Sequence, residues 1–332
     1  MAKDTIRLYF TDFWPLFNIK DNYFLDLLKK RFKIILDPID PEFLIYSNFG
    51  IEYKKFNCIK IYYTGENTRP DFNECDFAFT FDHNNDPRHY RLPLYPIFGN
   101  VCKLTEPKPD FDAIKKEKTG FCNFIYSNPA NPVRNEFFKK LNKYKKVDSG
   151  GRLYRNINKR IGNKLDFIRK YKFTIAFENE SYPGYTTEKI FEPMLVNSLP
   201  IYWGNPLVHK DFNPKSFINC HEFNSLDEVV DKIAELDNDW DKYLEYYEQP
   251  YFHNNSINQY VEPENILNRF EEIFNSSKKP ISENTLAASE SKFIKNLWML
   301  KNRTVYNTGS VLNKVRNFSL EKAKIKTKKM FE

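Results

Sequence analysis

The chain has 332 residues, of which 41% are hydrophobic and 29% charged, with 31 Phe, 21 Tyr and only 10 Gly. That length points to two domains with buried cores, and the aromatic content excludes a disordered chain while the few glycines exclude collagen-like sequences. The net charge of +7 is uneven: residues 278–332 hold 13 Lys and Arg against 4 Asp and Glu, which leaves the preceding body at −2 and argues against a basic nucleic-acid platform on the fold. In chain order, β-rich runs over 6–10, 33–36, 43–46, 59–63 and 77–81 alternate with a helical pattern over 22–31. The segment 103–120 is rich in Lys and Pro without apolar period and marks a domain boundary. Beyond it come strands over 122–126, 172–177 and 199–203. Helices are predicted over 134–144, 188–197 (interrupted by Pro193), 226–236, 239–247 and 265–274. Two successive βα arrays predict two doubly wound domains facing a cleft, with ligands held beyond the carboxyl ends of the strands.

No apolar run is long enough to span a membrane, and MAKDTIRLYFTDFW lacks the apolar region of a signal peptide. The five cysteines are scattered and never spaced as CxxC, the pattern of reduced thiols. A cytoplasmic protein is therefore expected. Two Asp-x-Asp matches, Asp110-Phe111-Asp112 and Asp237-Asn238-Asp239, fall in the linker and between helices, and the histidines form no HExxH. No metal is expected at the site and no cofactor is required. The absence of GxGxxG and GxxxxGK[ST] disfavours dinucleotide oxidoreductases and P-loop kinases.

Candidate chemistry follows the strand over 172–177. There Glu178, Tyr185, Glu188 and Lys189 crowd one strand-to-helix turn, with Thr186 as the expected N-cap. Free N–H groups at such a turn attract phosphate. A lysine in the same turn meets the positive end of the helix dipole, which an anionic ligand would explain; an ordinary exposed cap is the alternative. Arg134, after Ser127-Asn128-Pro129, can grip a diphosphate through paired hydrogen bonds or be a surface charge. Glu66, beside Gly65 at the end of the strand over 59–63, can be a general base or a loop carboxylate.

Together, Tyr63–Asn67 (YTGEN), Arg91–Tyr95 (RLPLY), Ser127–Phe138 (SNPANPVRNEFF), Phe177–Ser181 (FENES), Tyr185–Lys189 (YTTEK) and His209–Asn219 (HKDFNPKSFIN) resemble the bacterial α1,3-fucosyltransferases of glycosyltransferase family 10, over roughly 55–275. The resemblance implies a GT-B fold, with an acceptor-binding domain over 1–117, a GDP-fucose-binding domain over 118–259, and a helix within 260–277 returning to the first domain. It implies inverting transfer of L-fucose from GDP-fucose to the GlcNAc O3 of an N-acetyllactosamine-type oligosaccharide. In that scheme Glu66 is the base and Glu188 lies beside the fucose. Arg134 and Lys189 neutralise the diphosphate, and Tyr185, Asn179, Asn128 and Glu178 belong to the donor pocket. Two departures from the family pattern, Pro183 in SYPGY and Pro193 after Lys189, put the loop geometry in question. The rival reading is a non-catalytic nucleic-acid or membrane-surface binder on a degenerate transferase fold, suggested by FKKLNKYKK over 138–146. In the basic tail over 278–332, Phe293, Leu297 and Leu300, then Val311, Val315 and Phe318, recur at helical spacing among lysines. Such a segment can lie on an anionic bilayer and hold the protein peripherally at the inner face of a membrane.

Overall fold

In the computed structural model, which describes residues 4–158 and 160–281, the chain opens with β1 (Thr5–Thr11), whose alternate residues Ile6, Leu8 and Phe10 are buried. Asn22 caps α1 (Tyr23–Leu28) by accepting from the Leu25 N–H at 3.0 Å. There follow β2 (Lys33–Leu36), β3 (Phe43–Tyr46), β4 (Ile59–Tyr63), β5 (Phe77–Thr80) and β6 (His89–Arg91). The six strands form one parallel sheet in the order β2-β1-β3-β4-β5-β6. Strands β3, β4 and β5 are buried along their whole length, as parallel strands covered on both faces must be.

The linker is more ordered than its composition indicates. Asp110 caps a short α2 (Phe111–Glu117) that buries only Ile114, too little to register as a period. Next come β7 (Gly120–Phe124), α3 (Pro132–Tyr144), β8 (Val147–Ser149), α4 (Lys164–Arg169), β9 (Tyr171–Phe177), α5 (Glu188–Leu195), β10 (Leu199–Trp203) and β11 (Ile218–Asn219). Their strands make a second parallel sheet, β11-β10-β9-β7-β8. Helices α6 (Leu226–Asn238), α7 (Trp240–Tyr247) and α8 (Pro263–Phe274) complete the described chain. Pro193 does not interrupt α5: it sits in the last turn, and the helix runs on to Leu195. The expected amphipathic tail falls outside the described residues from 282 onward.

Three features fix how the two sheets meet. Helix α8 packs on the first sheet, with Phe270 stacked on Phe79 at 4.5 Å and Phe274 against Phe43 at 4.6 Å. Arg31 ties α1 to the same helix through Glu264 at 2.6 Å and Glu271 at 2.7 Å. Helix α5 lies in the second array by sequence, but Ile190, Phe191 and Met194 join the apolar cluster of the first, with Phe191 against Tyr95 at 5.7 Å. Finally, both chain crossings between the arrays are pinned together. The Lys108 ammonium donates to the Tyr247 and Gln249 carbonyls at 2.6 and 2.7 Å and covers the Tyr251 ring at 3.6 Å, while the Tyr247 hydroxyl donates to the Pro109 carbonyl at 2.7 Å. A cation at the carbonyl end of α7 is well placed for the helix dipole.

Candidate active site

The strand order of the second sheet reverses between β7 and β9, so a crevice opens beyond their carboxyl ends, the place where doubly wound sheets hold ligands. The segments leaving those two strands carry Asn128 and Arg134 on one side and Glu178 and Asn179 on the other. Asn131 locks them together. Its side chain caps α3 by accepting from the Arg134 N–H at 3.0 Å and donates to the Glu178 and Asn179 carbonyls at 2.9 and 3.2 Å. Pro132 follows as the first helical residue, where a missing N–H costs nothing.

Arg134 is the largest fully buried side chain among the described residues. Its guanidinium lies over the Tyr126 ring at 4.2 Å and donates to the Asn179 side-chain oxygen at 3.2 Å and the Asn128 carbonyl at 2.6 Å. Its Nε–H is buried with no acceptor, and no carboxylate pairs with the group among the described residues. Burial lowers its pKa, the cost of holding a charge away from water. Asn128 is exposed, and its side chain accepts from the Ala130 N–H at 2.9 Å.

Lys189 behaves differently. Its ammonium reaches Glu178 at 3.2 Å, Glu188 at 3.4 Å and the Thr187 hydroxyl at 3.0 Å. Burial opposes its charge, but the two carboxylates more than offset this and hold its pKa well above the usual lysine value. Protein carboxylates therefore already explain a lysine at the positive end of a helix. The N-cap of α5 is Thr187 and not Thr186, whose hydroxyl instead donates to Asp211 at 2.8 Å. Glu178 is fully buried and accepts from the Thr187 N–H at 2.8 Å and its hydroxyl at 2.6 Å. Its carboxylate is thus turned into the α5 turn, which it positions, and away from open space. Glu188 remains partly exposed; burial raises its pKa, and Lys189 and Lys164 outweigh that to leave it below the ordinary value. A cavity of about 250 Å³ opens at this point, with Asn123, Asn128, Asn179, Glu188, Lys189 and Glu192 among its lining residues.

The first sheet supplies the opposite wall. Glu66 follows β4 in a turn closed by its N–H donating to the Thr64 hydroxyl at 3.0 Å. Its side chain is open to water yet flanked by protein. Desolvation raises its pKa, Lys189 lowers it, and Glu188 and Glu180 raise it further. Those influences come from the second array, so Glu66 shares one cleft with Lys189 and Glu188. The lips of the cleft also touch: Asn67 donates to Glu180, and Arg69 lies over the Tyr182 ring at 3.8 Å.

Tyr182-Pro183-Gly184-Tyr185 forms a turn closed by a 3.1 Å bond from the Tyr185 N–H to the Tyr182 carbonyl. Gly184 has φ +90°, and a Cβ there would lie 2.4 Å from the Phe81 carbonyl of the first array. Proline then glycine at the two central positions is a natural type II turn, so Pro183 fits the loop. Tyr185 is buried against Phe81 at 4.9 Å, at the seam between the arrays.

Sequence reasoning missed the buried pair Arg91–Asp211, 2.8 Å apart, in which Arg91 comes from β6 and Asp211 anchors Thr186 and Asn205. Arg91 stands in RLPLY and Asp211 in HKDFNPKSFIN, but nothing local links the two segments. The Asp-x-Asp matches have structural tasks: Asp110 and Asp239 are N-caps, and Asp237 pairs with Lys145 at 2.7 Å and Lys172 at 3.5 Å.

Two parallel sheets whose carboxyl ends face one cleft, with a buried cation at the switch point of the second, make this a GT-B glycosyltransferase architecture. Residues 8–98 match the family model of the alpha-(1,3)-fucosyltransferase FucT N-terminal domain, and residues 114–267 match that of the glycosyltransferase family 10 (fucosyltransferase) C-terminal part. The chain is 34% identical over 270 residues to the alpha-(1,3)-fucosyltransferase FucT of Helicobacter pylori, a match covering 70% of this chain and 56% of that protein. Solved structures of an α1,3-fucosyltransferase with GDP and with GDP-fucose superpose with TM-scores of 0.73 and 0.72 at 28% identity, covering 84% of this chain and 93% of theirs. The chain belongs to glycosyltransferase family 10. No helix among the described residues is long and apolar enough to cross a membrane.

Proposed function

We propose that this chain transfers L-fucose from GDP-fucose to an oligosaccharide with inversion at the anomeric carbon, forming an α1,3 linkage to GlcNAc O3 of an N-acetyllactosamine-type glycan. The observation that carries this reading is the meeting of a raised-pKa carboxylate from one sheet, Glu66, with Lys189 of the other in a single cleft. The homologous structure with GDP-fucose supports the choice of donor.

In this reading the diphosphate lies against Arg134, whose fork has an unused N–H, and against Lys189. As the bond from fucose to phosphate breaks, negative charge grows on the departing GDP, and fixed cations stabilise that state more than the bound substrate. Glu188 stands beside the fucose, where a carboxylate stabilises positive character on the ring. Asn179 orients Arg134 and Asn128 borders the pocket, while Tyr185 stays buried at the seam between the arrays. Glu66 takes the proton of the acceptor hydroxyl from the opposite face, which is what inversion requires. Glu178 acts through Lys189 and the α5 turn.

Glu66→Gln is expected to lower kcat by about 10²–10⁴-fold, the usual contribution of a general base, with GDP-fucose affinity kept. Full activity in that variant, measured as GDP release with an N-acetyllactosamine acceptor, would remove Glu66 from the role. A glycan array with labelled GDP-fucose tests the acceptor; labelling confined to terminal galactose contradicts the α1,3 assignment. For the tail over 278–332 we propose a contact with anionic membrane surfaces, tested by flotation with anionic vesicles of the full chain against a chain ending at Ser277.

A further inference from the structure

The first sheet also has a switch point, between β1 and β3, and the loops there form a second surface in the cleft wall. Strands β1 and β3 end in register, with Thr11 opposite Tyr46, and β4 runs one residue further, Tyr46 being opposite Tyr62. Three residues past β1 stands Trp14, three past β3 stands Phe49, and three past β4 stands Glu66. The Trp14 and Phe49 rings meet edge to face at 6.5 Å. Both are only partly buried, and Leu16, two residues after Trp14, is fully exposed. Phe13 stacks on Tyr63, the last residue of β4, so the aromatic group is continuous with the strand that carries Glu66.

This loop is held in a costly conformation. Asp12 and Leu16 both have positive φ, +59° and +76°, which residues with a Cβ adopt only under constraint. The constraint is visible for Asp12: its carboxylate accepts from the Glu52 and Tyr53 N–H groups at 3.0 and 2.8 Å, and a Cβ on Gly50 would lie 2.0 Å from its oxygen. The loop after β1 is thereby braced onto the loop after β3.

We propose that Trp14 and Phe49, with Leu16, form the platform for the acceptor sugar ring next to the one that receives fucose. The inference rests on the fucosyl-transfer reading and deepens it. If Glu66 faces the reacting hydroxyl, the reacting ring lies over the end of β4. One and two strand spacings from β4, about 5 and 10 Å, the Phe49 and Trp14 rings meet the neighbouring ring on its C–H side. The site is thus built for an oligosaccharide, and the neighbouring ring adds affinity without touching the chemistry.

The test compares N-acetyllactosamine with free GlcNAc as acceptors for the 332-residue chain and for Trp14→Leu, Phe49→Leu and Leu16→Asp. The leucine variants keep an apolar group but remove the flat face, and Leu16 is too exposed for its replacement to disturb the core. In each variant the preference for the disaccharide is expected to fall, by about tenfold in Trp14→Leu, chiefly through acceptor KM. An unchanged ratio of the two kcat/KM values in an active chain overturns the platform alone. No GDP release from GDP-fucose by the unaltered chain with either acceptor overturns the transferase reading, and the platform with it.

Discussion

Glu66 and Glu178 both lie within the influence of Lys189 and both have pKa values raised first by burial, yet their surroundings differ. Glu178 is sealed in and spends its oxygens on Thr187 and Lys189; Glu66 keeps open access to the cleft. A general base must be deprotonated, so a raised pKa moves the loss of activity on acidification to higher pH. The acid limb of kcat/KM is expected above the ordinary glutamate value of about 4.3. Glu180 contributes to the rise by like charge, so Glu180→Gln should shift that limb to lower pH, which a pH–rate profile reads directly. The two cations differ as well. Lys189 is already paired with carboxylates, whereas Arg134 has none among the described residues. Arg134→Lys is therefore expected to weaken GDP binding by about 10–100-fold, since an ammonium cannot reproduce a guanidinium fork; titration calorimetry with GDP checks it.

At the scale of elements, β6 carries a pH-dependent weakness. His89 is buried with its ring bonded to the Thr80 hydroxyl at 2.8 Å, and burial lowers its pKa from 6.5 to about 4. The unfolded chain takes up this proton below pH 6.5 while the folded chain resists it down to about 4. Stability should fall as pH drops through that window, by up to about 3 kcal/mol, and denaturant melts of His89→Gln should lose that part of the slope. Three-residue β6 was not legible in the sequence, nor were β8, the six-residue α4 and the two-residue β11, because all are too short to set up a period. Strands β3, β4, β5, β9 and β10 were legible because parallel strands buried on both faces read as near-continuous apolar runs, and β1, β2 and β7 were legible from their β-branched and aromatic residues. The site divides in the same way. Glu66, Arg134 and Lys189 could be found because each follows a strand end in a short word. The buried Arg91–Asp211 pair could not, as 120 residues separate its halves. Nor could the sealing of Glu178, which depends on how Thr187 folds back.

For the whole molecule, the apolar cluster around the first sheet runs without a break into α5 and Tyr202 of the second array, and α8 closes it from the far end of the described chain. Glu66 on one wall and Lys189 on the other are therefore carried by largely common packing, while Lys108 holds the two crossings side by side. Small-angle scattering should accordingly find little change in radius of gyration on adding GDP. The same shared cluster has a thermal consequence. Neither array can melt first without stripping apolar surface from the other, because Ile190, Phe191 and Met194 would lose their partners as soon as the first sheet opened. Heating should give one calorimetric transition with matching calorimetric and van't Hoff enthalpies, and a chain cut in the linker should yield two fragments that each fail to hold native structure alone.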